Sequence, residues 1–209
     1  MLLAPEQFFG FLAAAMLITV SPGPDNLMVL GIGMSRGRRP GVIFGIGCAL
    51  GCLSHTVLAA LGVSALIAAS PMAFWALRVS GGLYLVWLGV QALRSRGGAK
   101  PGQAENAAIS LPRLFAKGLL ANAINPKVVL FFLSFLPQFV VADHGAVGWQ
   151  TAQLGLVFTL QAAILFAALG YFSGYVGAWL QRHGRAGLWL DRVAGSIFVA
   201  LGLRLMVSR

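Results

Sequence analysis

The sequence predicts an all-α integral membrane protein of six transmembrane helices, arranged as a 3+3 inverted repeat with helices 1 and 4 interrupted. Three observations predict it. The 209 residues are 58% hydrophobic and 10% charged, with a mean hydropathy of +0.84, whereas soluble domains carry about a quarter charged residues. Six apolar stretches, at 8–34, 41–69, 74–93, 114–141, 152–180 and 189–207, approach or exceed the roughly 20 residues that cross a bilayer as helix. The first and fourth are broken by proline near their middles. Spans this long must be helical, because lipid offers backbone groups no partner outside the chain.

The first span could be mistaken for a signal peptide. It lacks a basic leading segment and stays apolar well past residue 20, so retention is expected. Its middle reads "SPGPDNLMVL" at 21–30, where Pro22, Gly23 and Pro24 permit unwinding and Asp25 and Asn26 follow at once. The second span carries Gly41, Gly45, Gly47 and Gly51, the small-residue spacing that lets helices approach closely, within one chain or between protomers of a homo-oligomer. It also holds Cys48, Cys52 and His55. The third begins Trp75-Ala76-Leu77-Arg78-Val79-Ser80-Gly81-Gly82-Leu83-Tyr84.

The connection 94–113 contains "SRGGAKPGQAEN" and reads as a flexible cytoplasmic linker. It separates a first three-helix repeat, 1–93, from a second, 114–209, within one transmembrane domain. The fourth span is interrupted at Asn122-Ala123-Ile124-Asn125-Pro126-Lys127. The fifth and sixth are unbroken in pattern, with Trp149, Tyr175 and Trp179 placed as interfacial anchors. The sixth opens Trp189-Leu190-Asp191-Arg192-Val193-Ala194-Gly195-Ser196-Ile197-Phe198, matching the third in Trp, Arg, Val and Gly. Three spans per copy is an odd number, so the second copy enters from the opposite side and the repeat is inverted.

Charge sets the orientation. Arg36, Arg38 and Arg39 fill the first connection, Arg94, Arg96, Lys100, Arg113 and Lys117 the third, and Arg182, Arg185 and Arg192 the fifth. The connections at 70–73 and 142–151 have no Lys or Arg. The positive-inside rule makes the basic loops cytoplasmic and both termini periplasmic. These loops lack the interleaved aromatics of base stacking, so the net charge of +10 does not point to nucleic acid.

Paired interruptions in corresponding spans mark a binding site near the bilayer midplane. At 1.5 Å per residue, Asp25 lies ~16 Å from Arg36 and Lys127 ~15 Å from Lys117, so the two could meet at one level. Asp25 is the only acid deep in any span and Lys127 the only deep lysine. Alone in lipid each would cost at least ~2.5 kcal/mol, so a partner or a wet cavity is expected. Asn26, Asn122 and Asn125 can donate or accept toward either end of a zwitterion, and the helix restarting after Pro24 presents free N–H groups to a carboxylate.

"SPGPDNLMVL", a basic Gly-rich turn, "GIGCALG" at 45–51 and "INPKVVLFFLSFLPQF" at 124–139 together resemble the LysE/RhtB family of bacterial amino-acid exporters across essentially the whole chain. The resemblance implies a multi-pass inner-membrane protein exporting amino acids or close derivatives, driven by the proton motive force or another ion gradient. On that reading Pro22, Gly23, Pro24, Asp25, Asn26, Asn122, Asn125, Pro126 and Lys127 bind substrate or coupling ion, and His55 is a candidate proton relay. The competing reading is a membrane thiol-disulfide carrier using Cys48 and Cys52. Cysteines one helical turn apart are poorly set for a disulfide and the second half has none, which favours packing. Two cysteines and three scattered histidines have no metal-ligand spacing, so neither metal nor cofactor is expected. No clustered nucleophile or acid/base pair suggests an enzyme.

Overall fold

The structure, a computed structural model, describes residues 3–63, 70–95, 110–141, 143, 145–183 and 185–207. Among these, every regular element is helical. Helix α1 spans Pro5–Val20 and α2 Pro24–Arg36. The chain between them breaks where Pro22 and Pro24 have no N–H to continue the ladder, and the two helices meet at 57°. Asp25 in the first turn of α2 and Arg36 in its last complement the helix dipole. Gly37, at φ +94°, then makes the tight turn into α3, Arg38–Leu58, a backbone conformation that favours glycine. A π-helical turn, Ala59–Val63, prolongs α3.

Helix α4, Pro71–Arg94, starts at Ser70, whose hydroxyl accepts from the Ala73 N–H at 3.2 Å. Helix α5, Leu111–Ala123, stops before Asn125-Pro126, and α6 restarts at Pro126–Leu130. A π turn, Phe131–Phe135, and a 3-10 turn, Leu136–Phe139, continue α6, and the two limbs meet at 49°. Helix α7 runs Val147–Tyr171, α8 Ser173–Arg182 and α9 Ala186–Val207.

Both interruptions therefore fall where proline predicts them. The fifth stretch differs from its sequence reading: instead of one span to residue 180, α7 ends at Tyr171 and Phe172 separates it from α8. There is no proline there; the junction reads Gly170-Tyr171-Phe172-Ser173-Gly174, where glycine and serine weaken the helix without forcing it to stop. Of the other expected segments, 64–69, Ala142 and most of the linker, 96–109, lie outside the described residues. Among the described residues, three unbroken helices and the two bent pairs are long and apolar enough to cross a membrane, making up to five spans. Helix α9, the sixth stretch, is 22 residues long and includes Asp191, Arg192 and Arg204.

Helix α3 lies at the centre, between α5 and α7, with α2 also against it. Its glycines divide between two faces. A Cβ at Gly45 would come 2.8 Å from the Phe166 carbonyl of α7, and Gly41 lies against Gly170, while Gly47 and Gly51 face Phe115 and Leu119 of α5. The small-residue stripe thus packs within the chain. The residue pairings also give directions. Gly41 opposite Gly170 and Thr56 opposite Gly155 make α3 and α7 antiparallel, whereas Gly47 beside Phe115 and Gly51 beside Leu119 make α3 and α5 parallel. Helices α4 and α9 are antiparallel, with Gly82 against Gly202 and Gly89 against Gly195. Near one end of this pair, Arg78 donates to the Leu205 carbonyl at 3.2 Å.

The core between α1, α7 and the continuation of α6 is aromatic. Phe131 packs in tilted contacts against Phe11, Phe135 and Phe158, and Phe139 lies edge-on to Phe11 and tilted against Phe135. This plug lies on one side of the two breaks. On the other side, close packing of α2, α3 and α7 through Gly33, Gly41 and Gly170 fills the space.

Candidate functional site

The two interruptions meet. Asn122, on the last turn of α5, donates its Nδ2–H to Asp25 Oδ2 at 2.7 Å, joining residues 97 positions apart. Asp25, Asn122 and Lys127 line one cavity of about 10 Å³, room for about one water molecule. Ile18, Val128, Phe131, Phe158 and Phe166 supply its apolar wall. Asp25 and Lys127 are 3% and 7% exposed, so both charges are held away from solvent. The second carboxylate oxygen, Asp25 Oδ1, is buried with no partner among the described residues.

Lys127 shares this cavity with Asp25 and also serves the backbone. Its ammonium donates to the carbonyls of Ile18 and Ser21, each at 3.1 Å. The reason is local. The Ile18 carbonyl would receive the N–H of residue 22, and Pro22 has none, so a donor must come from elsewhere in the fold. Asn26 acts likewise: its Nδ2 donates to the Thr19 carbonyl at 2.8 Å. Lys127 and Asn26 thus serve carbonyls left without a helical donor where the Pro22-Gly23-Pro24 segment interrupts the ladder. The end of α1 carries partial negative charge, which further suits a cation there. Gly23 permits the approach, since a Cβ at that position would lie 2.8 Å from Lys127 Nζ.

Asn125 caps the restarted helix, its Oδ1 accepting from the Lys127 N–H at 3.1 Å, and Pro126 occupies the first helical position. Its Nδ2 has no protein partner. Neither Asn26 nor Asn125 is among the residues lining the cavity.

Asn122 is a hub. Its backbone carbonyl lies 3.1 Å from His55 Nε2, and its Oδ1 accepts from Cys52 Sγ at 3.3 Å. A carbonyl only accepts, so Nε2 carries the proton and Nδ1, buried and without a partner, is the basic nitrogen. The ring packs on Phe132, with centroids 5.7 Å apart. Cys48 and Cys52 are free thiols with no exposed surface. A thiol-disulfide partner has no route to them, and Cys52 is engaged in the hub. The redox-carrier alternative therefore lacks support.

Two residues that the sequence reading passed over belong to the same neighbourhood. Gln161 of α7 donates to Thr19 Oγ1 at 2.8 Å, and Thr19 lines the cavity. Gln161 Oε1 has no protein partner. The available signal was a glutamine deep in an uncharged 25-residue helix, costly there unless bonded. Among the described residues, no group of three His, Cys, Asp or Glu side chains could hold a metal ion.

Residues 16–209 match the LysE type translocator family. The threonine efflux protein of Escherichia coli strain K12 is 33% identical over 217 residues, covering 95% of this chain and 98% of that protein. The leucine efflux protein of Enterobacter sp. strain 638 is 32% identical over 205 residues, covering 95% and 94%. An uncharacterised membrane protein of Pseudomonas aeruginosa is 32% identical over 208 residues, covering 97% and 95%. No solved structure matches the chain. With the family matched along nearly its whole length, the chain is a multi-pass membrane protein and belongs to the LysE type translocator family.

Proposed function

We propose that the protein is a secondary active exporter of amino acids or close derivatives across the bacterial inner membrane, coupled to the proton motive force. The observation that carries this is the meeting of the two interrupted helices at Asp25 and Asn122, around a cavity lined also by Lys127. Asp25 Oδ1 is positioned to take the substrate ammonium or a proton, one displacing the other, which is the exchange an antiporter needs. The substrate carboxylate is assigned to the first turn of α2, where helix geometry leaves N–H groups free after Pro24. Asn122 orients the carboxylate of Asp25. Lys127, Asn26 and Asn125 hold the two breaks in shape, so their role in transport is to preserve the site. His55 is assigned to support Asn122, with its basic Nδ1 as a secondary proton acceptor. Apolar side chains of the substrate would meet Phe131, Phe158 and Phe166.

We place six spans in the membrane, with both termini periplasmic. Helix α9 lies antiparallel to α4 along its length, and α4 is itself a span, which supports α9 as the sixth. The parallel and antiparallel pairings of α3, α5 and α7 agree with a chain that alternates direction at each crossing. They also fit a 3+3 inverted repeat, in which α5 with α6 corresponds to α1 with α2.

The test is export from proteoliposomes loaded with threonine or leucine, chosen because relatives carry those names, under an imposed proton gradient. Substrate release that requires the gradient is expected. Metabolite profiling of overproducing cells extends the search to other amino acids. Release unaffected by collapsing every ion gradient would overturn the coupled mechanism.

A further inference from the structure

The break at Phe172 has no part in the site above, yet it creates a second concave surface. Helix α8 packs against α2, with Ser173 against Gly33 and Gly177 against Met34. Between α8 and the turn into α3 lies a groove of about 560 Å³, lined among others by Arg38, Tyr171, Tyr175, Trp179, Arg182 and His183. Among the described residues, none that lines it is acidic. The Arg38 guanidinium stands 4.8 Å over the Tyr171 ring and donates to its hydroxyl at 3.5 Å. Trp179 stacks on His183 at 5.0 Å. Tyr175 is 83% exposed and Trp179 48%.

We propose that this groove binds the headgroup of an anionic glycerophospholipid, with Arg38 and Arg182 on the phosphate and Tyr175 and Trp179 against the glycerol and upper acyl chains. Charge complementarity argues for the occupant. Guanidinium groups present planar, paired donors suited to phosphate oxygens, and basic pockets between membrane helices are where acidic headgroups collect. The exposed aromatics decide between sources of phosphate. Tyrosine and tryptophan belong at headgroup depth, and a free phosphate ion would have no use for them. The site also bears on transport. Ser173 and Gly177 rest on the end of α2 whose first turn carries Asp25, so a bound lipid braces the helix that must move for Asp25 to change sides.

The purified full chain, exchanged into micelles containing equal amounts of phosphatidylglycerol and phosphatidylcholine, is analysed by native mass spectrometry for retained lipid. Wild type should prefer phosphatidylglycerol by roughly tenfold or more, the order that two arginines at a membrane surface supply. Arg38→Gln with Arg182→Gln should abolish that preference, while Arg94→Gln with Arg113→Gln, which removes equal charge elsewhere, should preserve it. Thermal melting reports folding, and if the double variant does not fold, Arg182→Gln alone carries the test with a partial loss expected. The proposal is overturned if the folded groove variant keeps the full preference or if the control pair loses as much. Displacement of the lipid by excess inorganic phosphate would overturn it too, since the groove would then be a site for the free ion.

Discussion

Asp25 and Lys127 are the buried acid and lysine of the described residues, and their surroundings give them opposite duties. Lys127 has two of its three N–H donors committed to the Ile18 and Ser21 carbonyls, whereas Asp25 Oδ1 has no partner among the described residues. Asp25→Asn preserves size and the contact with Asn122 but removes the titratable charge. Export should fall at least about tenfold, equivalent to ~1.4 kcal/mol, with little change in abundance, because Lys127 retains both its carbonyls. A fully expressed variant exporting at the wild-type rate would make Asp25 structural. Lys127→Leu should behave in the other way, leaving two buried carbonyls unserved at about 1–3 kcal/mol each and lowering the thermal midpoint in detergent; an unchanged midpoint would show that the carbonyls find other donors. The rise per residue predicted that these residues could meet at one level, and they line one cavity. The sequence could not show that Lys127 serves backbone, because the loss of a donor at Pro22 is local while the replacement, Lys127, 109 positions from the Ile18 carbonyl it serves, depends on the finished packing.

Among elements, the two broken helices were legible because proline inside an apolar run removes a backbone donor and clashes with the preceding turn, and the observed breaks fall at Pro22–Pro24 and Asn125–Pro126 as expected. The break before α8 was not, since it has no proline; Gly170, Ser173 and Gly174 weaken the helix without forcing a stop, and Ser173 and Gly177 dock onto α2. Glycine placement was legible as close approach but not as partner choice: one stripe on α3 serves two neighbours. That division makes a prediction. Gly47→Ala drives a methyl group into the Phe115 carbonyl, and backbone cannot step aside as a flexible side chain can. Overpacking of this kind costs typically 1–3 kcal/mol, so the thermal midpoint should drop clearly. Gly174→Ala, where nothing lies within 4 Å of the added carbon, should melt as wild type does. Equal behaviour of the two would mean that α3 and α5 are less tightly apposed than their glycines indicate.

At the scale of the whole molecule, every pairing of helix directions can be drawn as one chain crossing a bilayer back and forth, and the basic residues at the ends of those helices decide which way round it sits. Arg36, Arg38 and Arg39 mark the turn between α2 and α3, Arg94 the end of α4, Arg113 and Lys117 the start of α5, and Arg182 and Arg185 the junction of α8 and α9. Because α3 and α5 run parallel, their starting ends, and hence these clusters, share one face. The opposite face carries the start of α7 and Asp143. Single cysteines at Ala99→Cys and Asp143→Cys, each in a Cys48→Ser, Cys52→Ser background, should therefore differ toward an impermeant thiol reagent added outside intact cells. Position 143 should label, and position 99 only after the membrane is opened. The background itself is informative, since serine at position 52 can still donate to Asn122 and export should survive, as it would not in a thiol-disulfide carrier. Labelling at position 99 alone would invert the orientation and put the termini in the cytoplasm. Equal labelling at both positions would place them on one side of the membrane, require an even number of crossings between them, and break the correspondence between α1 with α2 and α5 with α6 on which the inverted repeat depends.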